Sequence, residues 1–205
     1  MKRPTLRIAG YIGEGVNRAS HVADFLKMNE RADVDIIVNS PGGDAIEGAA
    51  ILAEVEAHGR VTFRVRGVAA SSASLILCGG KSVIMHPASV WMGHLPWTMT
   101  VGDAGQHLKV AALLDKVGRS DAEIYSRFSG HPVERILSWF AEELWLDAKE
   151  AIALGFSDAL EEGTKQENPA QHDYTKHQAA PQSLQRMALD NGWTTVSSEP
   201  NTETE

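Results

Sequence analysis

Two short segments of this chain combine residue types that acyl transfer requires. Residues 39–44 read Asn-Ser-Pro-Gly-Gly-Asp and residues 67–74 read Gly-Val-Ala-Ala-Ser-Ser-Ala-Ser, and each follows an apolar β-type run and opens an apolar helical pattern. The first offers bare backbone N–H groups that can face an oxyanion, and the second offers a hydroxyl at a helix N-terminus. His94 follows another strand-like run. Acyl transfer needs a nucleophile, a base and donors for the developing negative charge, so these features predict a serine hydrolase site.

Ser71 is the predicted nucleophile. A serine at a helix start is commonly an N-cap. Here, however, the flanking alanines leave room for a substrate backbone, and the dipole of the helix favours an oxyanion nearby. Ser72 and Ser74 are competing hydroxyls in the same stretch, and periodicity does not choose among the three.

Gly42 and Gly43 form the predicted oxyanion turn. A Ser-Pro-Gly-Gly sequence is also typical of a tight turn before a helix. Consecutive parallel strands present their carboxyl ends at one edge of a sheet, so we expect this turn to lie beside Ser71. Its N–H groups then become candidate oxyanion donors.

His94 is the predicted general base. It ends a strand pattern and lies 94 − 71 = 23 residues after Ser71, which leaves room for one helix and a hairpin. His86, in the turn of that hairpin, is the second choice. The other histidines fall in helical patterns or in the polar C-terminal part and are interpreted as solvated: His21, His58, His107, His131, His172 and His177.

Composition argues against several functional classes. The net charge of −8 over 205 residues gives no basic surface for nucleic acid, so no DNA or RNA partner is expected. Cys78 is the single cysteine and cannot form an internal disulfide, which fits a reducing compartment. No window approaches 18 uninterrupted apolar residues and no signal-peptide core is visible, so we expect a cytoplasmic protein without a membrane segment. No metal site and no cofactor are predicted.

The alternation of β-type and helical patterns predicts an α/β domain over residues 1–160. Repeated β-α-β units imply a mainly parallel sheet with its site at the carboxyl ends of the strands. An apolar run at about 71–78 predicts a buried helix. The other expected elements include a long helix at 103–128, shorter helices at 132–143 and 147–153, and a last strand at 155–160.

Residues 161–205 are predicted to form a mostly disordered tail. Their composition shifts to Gln, Asn, Thr, Ser, Pro and Glu, which cannot bury enough apolar surface to offset the entropy of ordering. A weak helical patch is visible at residues 184–189.

The motifs resemble those of ClpP-type serine peptidases, the Clp proteolytic subunit family, and especially the short phage and prophage variants that act as head maturation proteases. The similarity covers about residues 5–160. Residues 39–43 resemble the family's oxyanion turn, residues 67–71 its nucleophile motif, and residues 89–96, Ser-Val-Trp-Met-Gly-His-Leu-Pro, its histidine motif. Residues 147–158 resemble its closing helix and strand.

The resemblance implies a ClpP/crotonase-like fold with a protruding long helix and a site made of matching residues. Ser71 would be the nucleophile, His94 the base, and the backbone N–H groups of Gly43 and Ser72 the oxyanion hole. The family's third residue is an aspartate, and its position falls on Trp139. Glu143, one helical turn further on the same face, is the candidate to orient His94 instead.

These observations predict a serine endopeptidase that acts on peptides or proteins, in phage capsid maturation or general degradation. The family implies a homo-oligomeric ring. Family members carry an additional N-terminal segment that contacts a ring ATPase, whereas this chain starts almost at the first strand. Dependence on an AAA+ unfoldase is therefore not expected, although such a partner remains one of the options. Three alternatives also remain open: a crotonase-type acyl-CoA enzyme, a serine-lysine peptidase using Lys81, and a catalytically impaired assembly or scaffold protein.

Overall fold

The computed structural model describes residues 3–163 and 167–194. Strands and helices alternate through most of this length, which confirms the predicted α/β class. In chain order the elements are β1 (Thr5–Ala9), α1 (Ala19–Met28), β2 (Val34–Ser40), α2 (Ala45–His58), β3 (Val61–Ala70), α3 (Ser72–Leu75), a 3-10 turn (Ile76–Gly79), β4 (Ser82–Met85), β5 (Val90–Gly93), α4 (Ala104–Ser129), α5 (Val133–Ala141), β6 (Leu144–Asp147), α6 (Ala148–Ala153), β7 (Ala159–Leu160), a second 3-10 turn (Tyr174–Lys176) and α7 (Gln182–Asp190).

The sheet is mainly parallel and branches at β3. Five strands follow the order β1-β2-β3-β4-β7, and β5 pairs with β3 and β6 off this path. The first half of β3, at residues 62–65, pairs with β4, whereas its last residues, 68–70, pair with β5. Because β2, β3 and β5 run in the same direction, the residues that follow them meet at one edge of the sheet, as predicted.

The segment after β3 passes through the core. Residues 72–77 are all buried, in α3 and the 3-10 turn that continues it, which agrees with the predicted buried helix. Trp91 of β5 stacks on Phe156 and meets Tyr125 edge to face. This aromatic packing fixes β5 and α4 against the buried segment.

The long predicted helix is α4, with 26 residues. Asp103 and Gln106 form a reciprocal capping box at its start, and Gly130 ends it in the left-handed conformation. Its buried residues, Gly118, Ala122 and Tyr125, all lie in the second half. The first half therefore projects from the domain, with Leu108 72% exposed.

Two local features differ from the sequence-based expectations. The predicted helix at 132–143 ends at Ala141, and Glu143 adopts a positive φ of 55° before the chain enters β6, which pairs antiparallel with β5. The last strand, β7, has only two residues. Short pairings of this kind depend on a distant partner strand and leave little periodic signal in the sequence.

The structure also differs from the predicted disordered tail, at residues 167–194. This segment, the C-terminal arm, contains the second 3-10 turn and α7 and packs Tyr174, Leu184 and Ala188 against Val68 and Met92. A few apolar side chains are enough because the sheet supplies an apolar surface to cover. Predicted disorder at 164–166 and 195–205 falls outside the described residues, and the boundary at 160 stays a prediction.

Polar contacts hold the C-terminal arm to the first two strands. The Asn39 side chain donates to the carbonyl of Asn168 at 2.8 Å and accepts from the N–H of Ala170 at 2.8 Å. Arg7 forms a two-point ion pair with Glu167, at 2.6 and 3.1 Å. The arm therefore lies against the same sheet edge as the predicted site. Within the described ranges, no helix is long and apolar enough to cross a membrane.

Candidate active site

Ser71 occupies the sharp turn between β3 and α3. Its backbone adopts φ 57° and ψ −131°, a conformation that a residue with a Cβ rarely takes, and its N–H donates to the carbonyl of Met92 at 3.0 Å. Its Oγ lies 2.8 Å from Nε2 of His94. The turn thus presents the hydroxyl to an imidazole that arrives from the neighbouring strand, β5.

The neighbouring serines have different environments. Ser74 Oγ lies 2.7 Å from the hydroxyl of Tyr125 and donates to the carbonyl of Met92, so it is a buried structural group. Ser72 Oγ is buried without a hydrogen-bond partner in the described parts of the chain. Of the three hydroxyls left open by the sequence, Ser71 is the one that meets the histidine.

His94 follows β5 and is largely buried. Burial is the main cause that lowers its pKa below the usual 6.5; the nearby His177 lowers it further, and Glu143 opposes both. A lowered pKa keeps the imidazole neutral near pH 7, which is the form that can accept a proton.

The alternative bases lie elsewhere. His86 is in the β4–β5 turn, where its Nδ1 accepts from the N–H of Ala88 at 3.1 Å. Lys81 lies at the opposite end of β3 from Ser71, with its ammonium 4.0 Å from Asp33. Lys81 therefore lies far from Ser71, and His86 lies level with Arg66, five residues before Ser71 along β3.

The glycine turn packs directly on the serine. A Cβ on Gly42, whose φ is +97°, would lie 2.6 Å from Ser71 Cβ and 2.7 Å from the carbonyl oxygen of Ala70. Gly43 pairs with Ile12, which fixes the turn from the other side. In the described residues, neither the Gly43 N–H nor the Ser72 N–H donates to a protein acceptor. Both N–H groups can therefore donate to a bound group such as an oxyanion.

Glu143 does not hydrogen-bond to His94. Its Oε1 instead lies 2.8 Å from Nδ1 of His177, and its Oε2 is buried without a partner in the described part of the chain. The charge of Glu143 nevertheless raises the pKa of His94. Trp139 packs edge to face on His131, with ring centroids 4.9 Å apart.

His177 and His172 correct the interpretation of the C-terminal histidines as solvated. The His177 side chain is only 14% exposed, and its Nε2 lies 3.1 Å from Nε2 of His172. Sequence reasoning missed them because they lie in a polar segment over 70 residues after His94 and follow no strand. The weak helical patch around Leu184, now part of α7, was the one visible sign that this segment folds.

A cleft of about 700 Å³ opens over Ser71 and His94. Its walls are mostly apolar, with Leu114 and Val117 from α4 on one side and Ile46 from α2 on another. The carboxyl of Asp121 also lines the cleft, and desolvation raises its pKa to about 6. The cleft is large enough for a peptide segment to reach the serine.

Comparison with known proteins shows which family the chain belongs to. The family model described as "Clp protease" matches residues 15–163, which include the glycine turn, Ser71, His94 and Glu143. The chain belongs to the Clp protease family. This family consists of peptidases, so the ClpP-type resemblance and its fold are confirmed, and a peptidase is favoured over an acyl-CoA enzyme.

Several Clp relatives are 26–31% identical to the chain over the aligned residues. "ATP-dependent Clp protease proteolytic subunit 2" of Chlamydia pneumoniae is 31% identical over 147 residues, 70% of this chain and 72% of that protein. The proteolytic subunit of Oltmannsiellopsis viridis is 30% identical over 151 residues, covering 72% and 77%. "Subunit 3" of Rhodococcus jostii is 26% identical over 165 residues, covering 78% and 81%.

Proposed function

We propose that the protein is a serine endopeptidase that cleaves protein substrates through Ser71 and His94. The observation that carries the proposal is the 2.8 Å contact between Ser71 Oγ and His94 Nε2 at the floor of an open cleft. It is supported by two backbone N–H groups beside that serine without a protein acceptor among the described residues. Family membership supports the reaction class.

The geometry fits a two-step acyl transfer. His94 Nε2 takes the Ser71 proton as Oγ attacks the peptide carbonyl, and the N–H groups of Gly43 and Ser72 hold the tetrahedral oxyanion. The imidazolium then gives its proton to the leaving amine. Water, deprotonated by His94, hydrolyses the acyl-enzyme and restores Ser71.

Glu143 is the proposed acid partner of His94. It stands close enough for its charge to raise the pKa of the imidazole, although the two side chains are not hydrogen-bonded in the free protein. Catalytic hydrogen bonds often tighten only when substrate is bound. Trp139, at the position of the family's aspartate, contributes ring packing rather than a charge.

We further propose that the protein works as a homo-oligomeric ring. The projecting half of α4 and the loop before it expose large apolar side chains, with Trp97 70%, Met99 89% and Leu113 59% exposed. Large apolar side chains exposed close together in the sequence are typical of an interface. The relatives are named as subunits of an ATP-dependent protease. Whether this protein depends on an ATPase stays open. A role in phage capsid maturation and a cytoplasmic location remain predictions from the sequence.

A catalytically impaired scaffold is the second candidate, favoured by Trp139 and by the absence of a Glu143–His94 bond in the described structure. Labelling with a fluorophosphonate probe separates the two candidates. The unmodified protein should label, Ser71→Ala should not, and His94→Ala should label at least about a hundredfold more slowly. His86→Ala is the matched control and should label normally. Absence of labelling in a correctly folded oligomer would establish the scaffold instead.

A further inference from the structure

We propose that His177, from the C-terminal arm, is a positioning residue of the active site. It holds one oxygen of Glu143, so that the other oxygen is presented toward His94. The inference rests on the proposed peptidase function. It makes the C-terminal arm part of the catalytic apparatus rather than an appendage.

The contacts around Glu143 carry the inference. His177 Nδ1 and Glu143 Oε1 lie 2.8 Å apart, and the two side chains are 14% and 27% exposed. The His177 ring also meets the ring of His94, with centroids 6.2 Å apart at an interplanar angle of 80°. His177 therefore contacts both the acid and the base of the proposed site.

The second oxygen of Glu143 is buried and has no hydrogen-bond partner within the described residues. Leaving a buried carboxylate oxygen unpaired costs about 1–3 kcal/mol or more, so such groups usually have a function. The N–H of His94 is the natural partner, because His94 already uses Nε2 for Ser71 and has Nδ1 left. Glu143 is thus fixed at Oε1 and available at Oε2.

The hydrogen bonds behind His177 form a continuous chain. Tyr11 Oη lies 3.0 Å from His172 Nδ1, and His172 Nε2 lies 3.1 Å from His177 Nε2. An ionised Glu143 only accepts, so His177 donates from Nδ1. With both histidines neutral, His172 then donates to His177 and Tyr11 donates to His172. Every member finds a partner, which fixes the tautomer that His177 needs to hold Glu143.

The surroundings keep His177 in place. Its ring packs on Trp145 of β6 with centroids 5.8 Å apart, and Trp145 also packs on the fully buried Tyr174. Tyr174 Oη donates to the carbonyl of Ala170, and Ala170 is bound by Asn39. Catalytic groups must be held by side chains that are themselves fixed by packing and hydrogen bonds. His177 meets this condition, so it can position Glu143 precisely enough to affect the rate of peptide hydrolysis.

A double-mutant cycle tests the inference. Peptide hydrolysis would be measured for the unmodified protein, Glu143→Gln, His177→Ala and the double variant. We expect kcat to fall about a hundredfold in Glu143→Gln and about tenfold in His177→Ala, with KM nearly unchanged. The double variant should match Glu143→Gln alone, because His177 acts through Glu143. His177→Asn, which keeps an N–H near the Nδ1 position, should recover most of the rate, and the exposed neighbour Gln178→Ala should change nothing.

Losses that multiply in the double variant, or unchanged kcat in His177→Ala, would overturn the inference. Melting curves show whether a variant has simply unfolded. A crystal structure of His177→Ala gives a readout that needs no activity, and we expect the Glu143 carboxylate to have moved. An unmoved Glu143 in that crystal structure would contradict this inference even if the enzyme is active. By contrast, failure of the unmodified protein to react with the fluorophosphonate probe would contradict only the proposed peptidase function.

Discussion

Gly42 and Ser71 are in direct contact, so the turn that carries Ser71 can keep its shape only because residue 42 has no side chain. A methyl group on Gly42 would lie 2.6 Å from Ser71 Cβ and 3.2 Å from its Oγ, closer than van der Waals contact allows. Because the other close atom is the backbone oxygen of Ala70, no rotamer change could relieve the clash. The two predicted motifs therefore form one structural unit.

Gly42→Ala should lower kcat/KM by at least about a hundredfold, because the clash displaces both Ser71 and the oxyanion turn. Gly15→Ala is the matched control, since Gly15 also has a positive φ, +52°, but no atom within 4 Å of the added Cβ. It should cost about 1 kcal/mol of unfolding free energy, since a Cβ is disfavoured at positive φ, and leave activity intact. Equal activity in the two variants, measured by peptide hydrolysis, would contradict this account of the turn.

The pH dependence of kcat/KM should report the perturbed imidazole. Burial and His177 lower the pKa of His94 below 6.5, so the rate should rise with pH at an apparent pKa below that value. Glu143→Gln removes a charge that raises the pKa of His94, and should move the acid limb to still lower pH. Steady-state rates across the acidic range test both statements. An acid limb that stays in place or moves upward in Glu143→Gln would show that the carboxylate does not raise the pKa of His94.

Asn39→Ala should release the C-terminal arm from the sheet. The change removes the side-chain oxygen that accepts from the N–H groups of Val68 and Ala170, and the side-chain N–H that donates to the carbonyl of Asn168. Loss of these three hydrogen bonds should cost about 2–3 kcal/mol of stability. Hydrogen exchange at residues 168–177 should become faster. Asn191→Ala, which loses only a bond to Met187 one turn earlier, is the control. Unchanged exchange in the Asn39 variant would mean that apolar packing alone holds the arm.

Asp121→Asn should stabilise the protein at neutral and higher pH. Desolvation raises the pKa of Asp121 from 3.8 to about 6, so folding disfavours the charged carboxylate. The penalty grows as pH rises from 3.8 to 6 and is complete above it. After discounting for solvent screening at this partly exposed site, Asn should add about 1 kcal/mol above pH 6 and almost nothing below 3.8.

Chemical denaturation across this pH range measures the effect of Asp121→Asn. Asp115→Asn, on an exposed position of the same helix, is its control and should leave stability nearly unchanged. A stabilisation that is equal at low and high pH would show that the charge is not its cause.

Most of the fold and the central pair of the site could be predicted because their signals are local. Ser71 and His94 each follow an apolar strand, and parallel strands bring such positions to one edge. Periodicity could not choose among Ser71, Ser72 and Ser74, since the choice depends on which hydroxyl contacts Tyr125 and which faces the histidine after β5. Both contacts are tertiary contacts, which a single sequence does not reveal.

The C-terminal arm illustrates the limit of composition. Its residues are polar, but several of those polar groups are satisfied by partners far away in sequence, such as Asn39 and Arg7. A composition-based argument assumes that water is the only partner and so predicts disorder. His177 was misread for the same reason, because only the folded arm brings it to Glu143.

The chain order of these parts has a consequence for biosynthesis. Ser71 and His94 lie in the first half of the chain, whereas His177 follows Ser71 by 177 − 71 = 106 residues. A nascent chain synthesised only as far as α6 would possess the nucleophile and base but not the arm that fixes Glu143. If the proposed mechanism holds, a growing chain would therefore remain a poor enzyme until His177 had been synthesised and the arm had folded onto the sheet, which would protect neighbouring nascent chains from early cleavage.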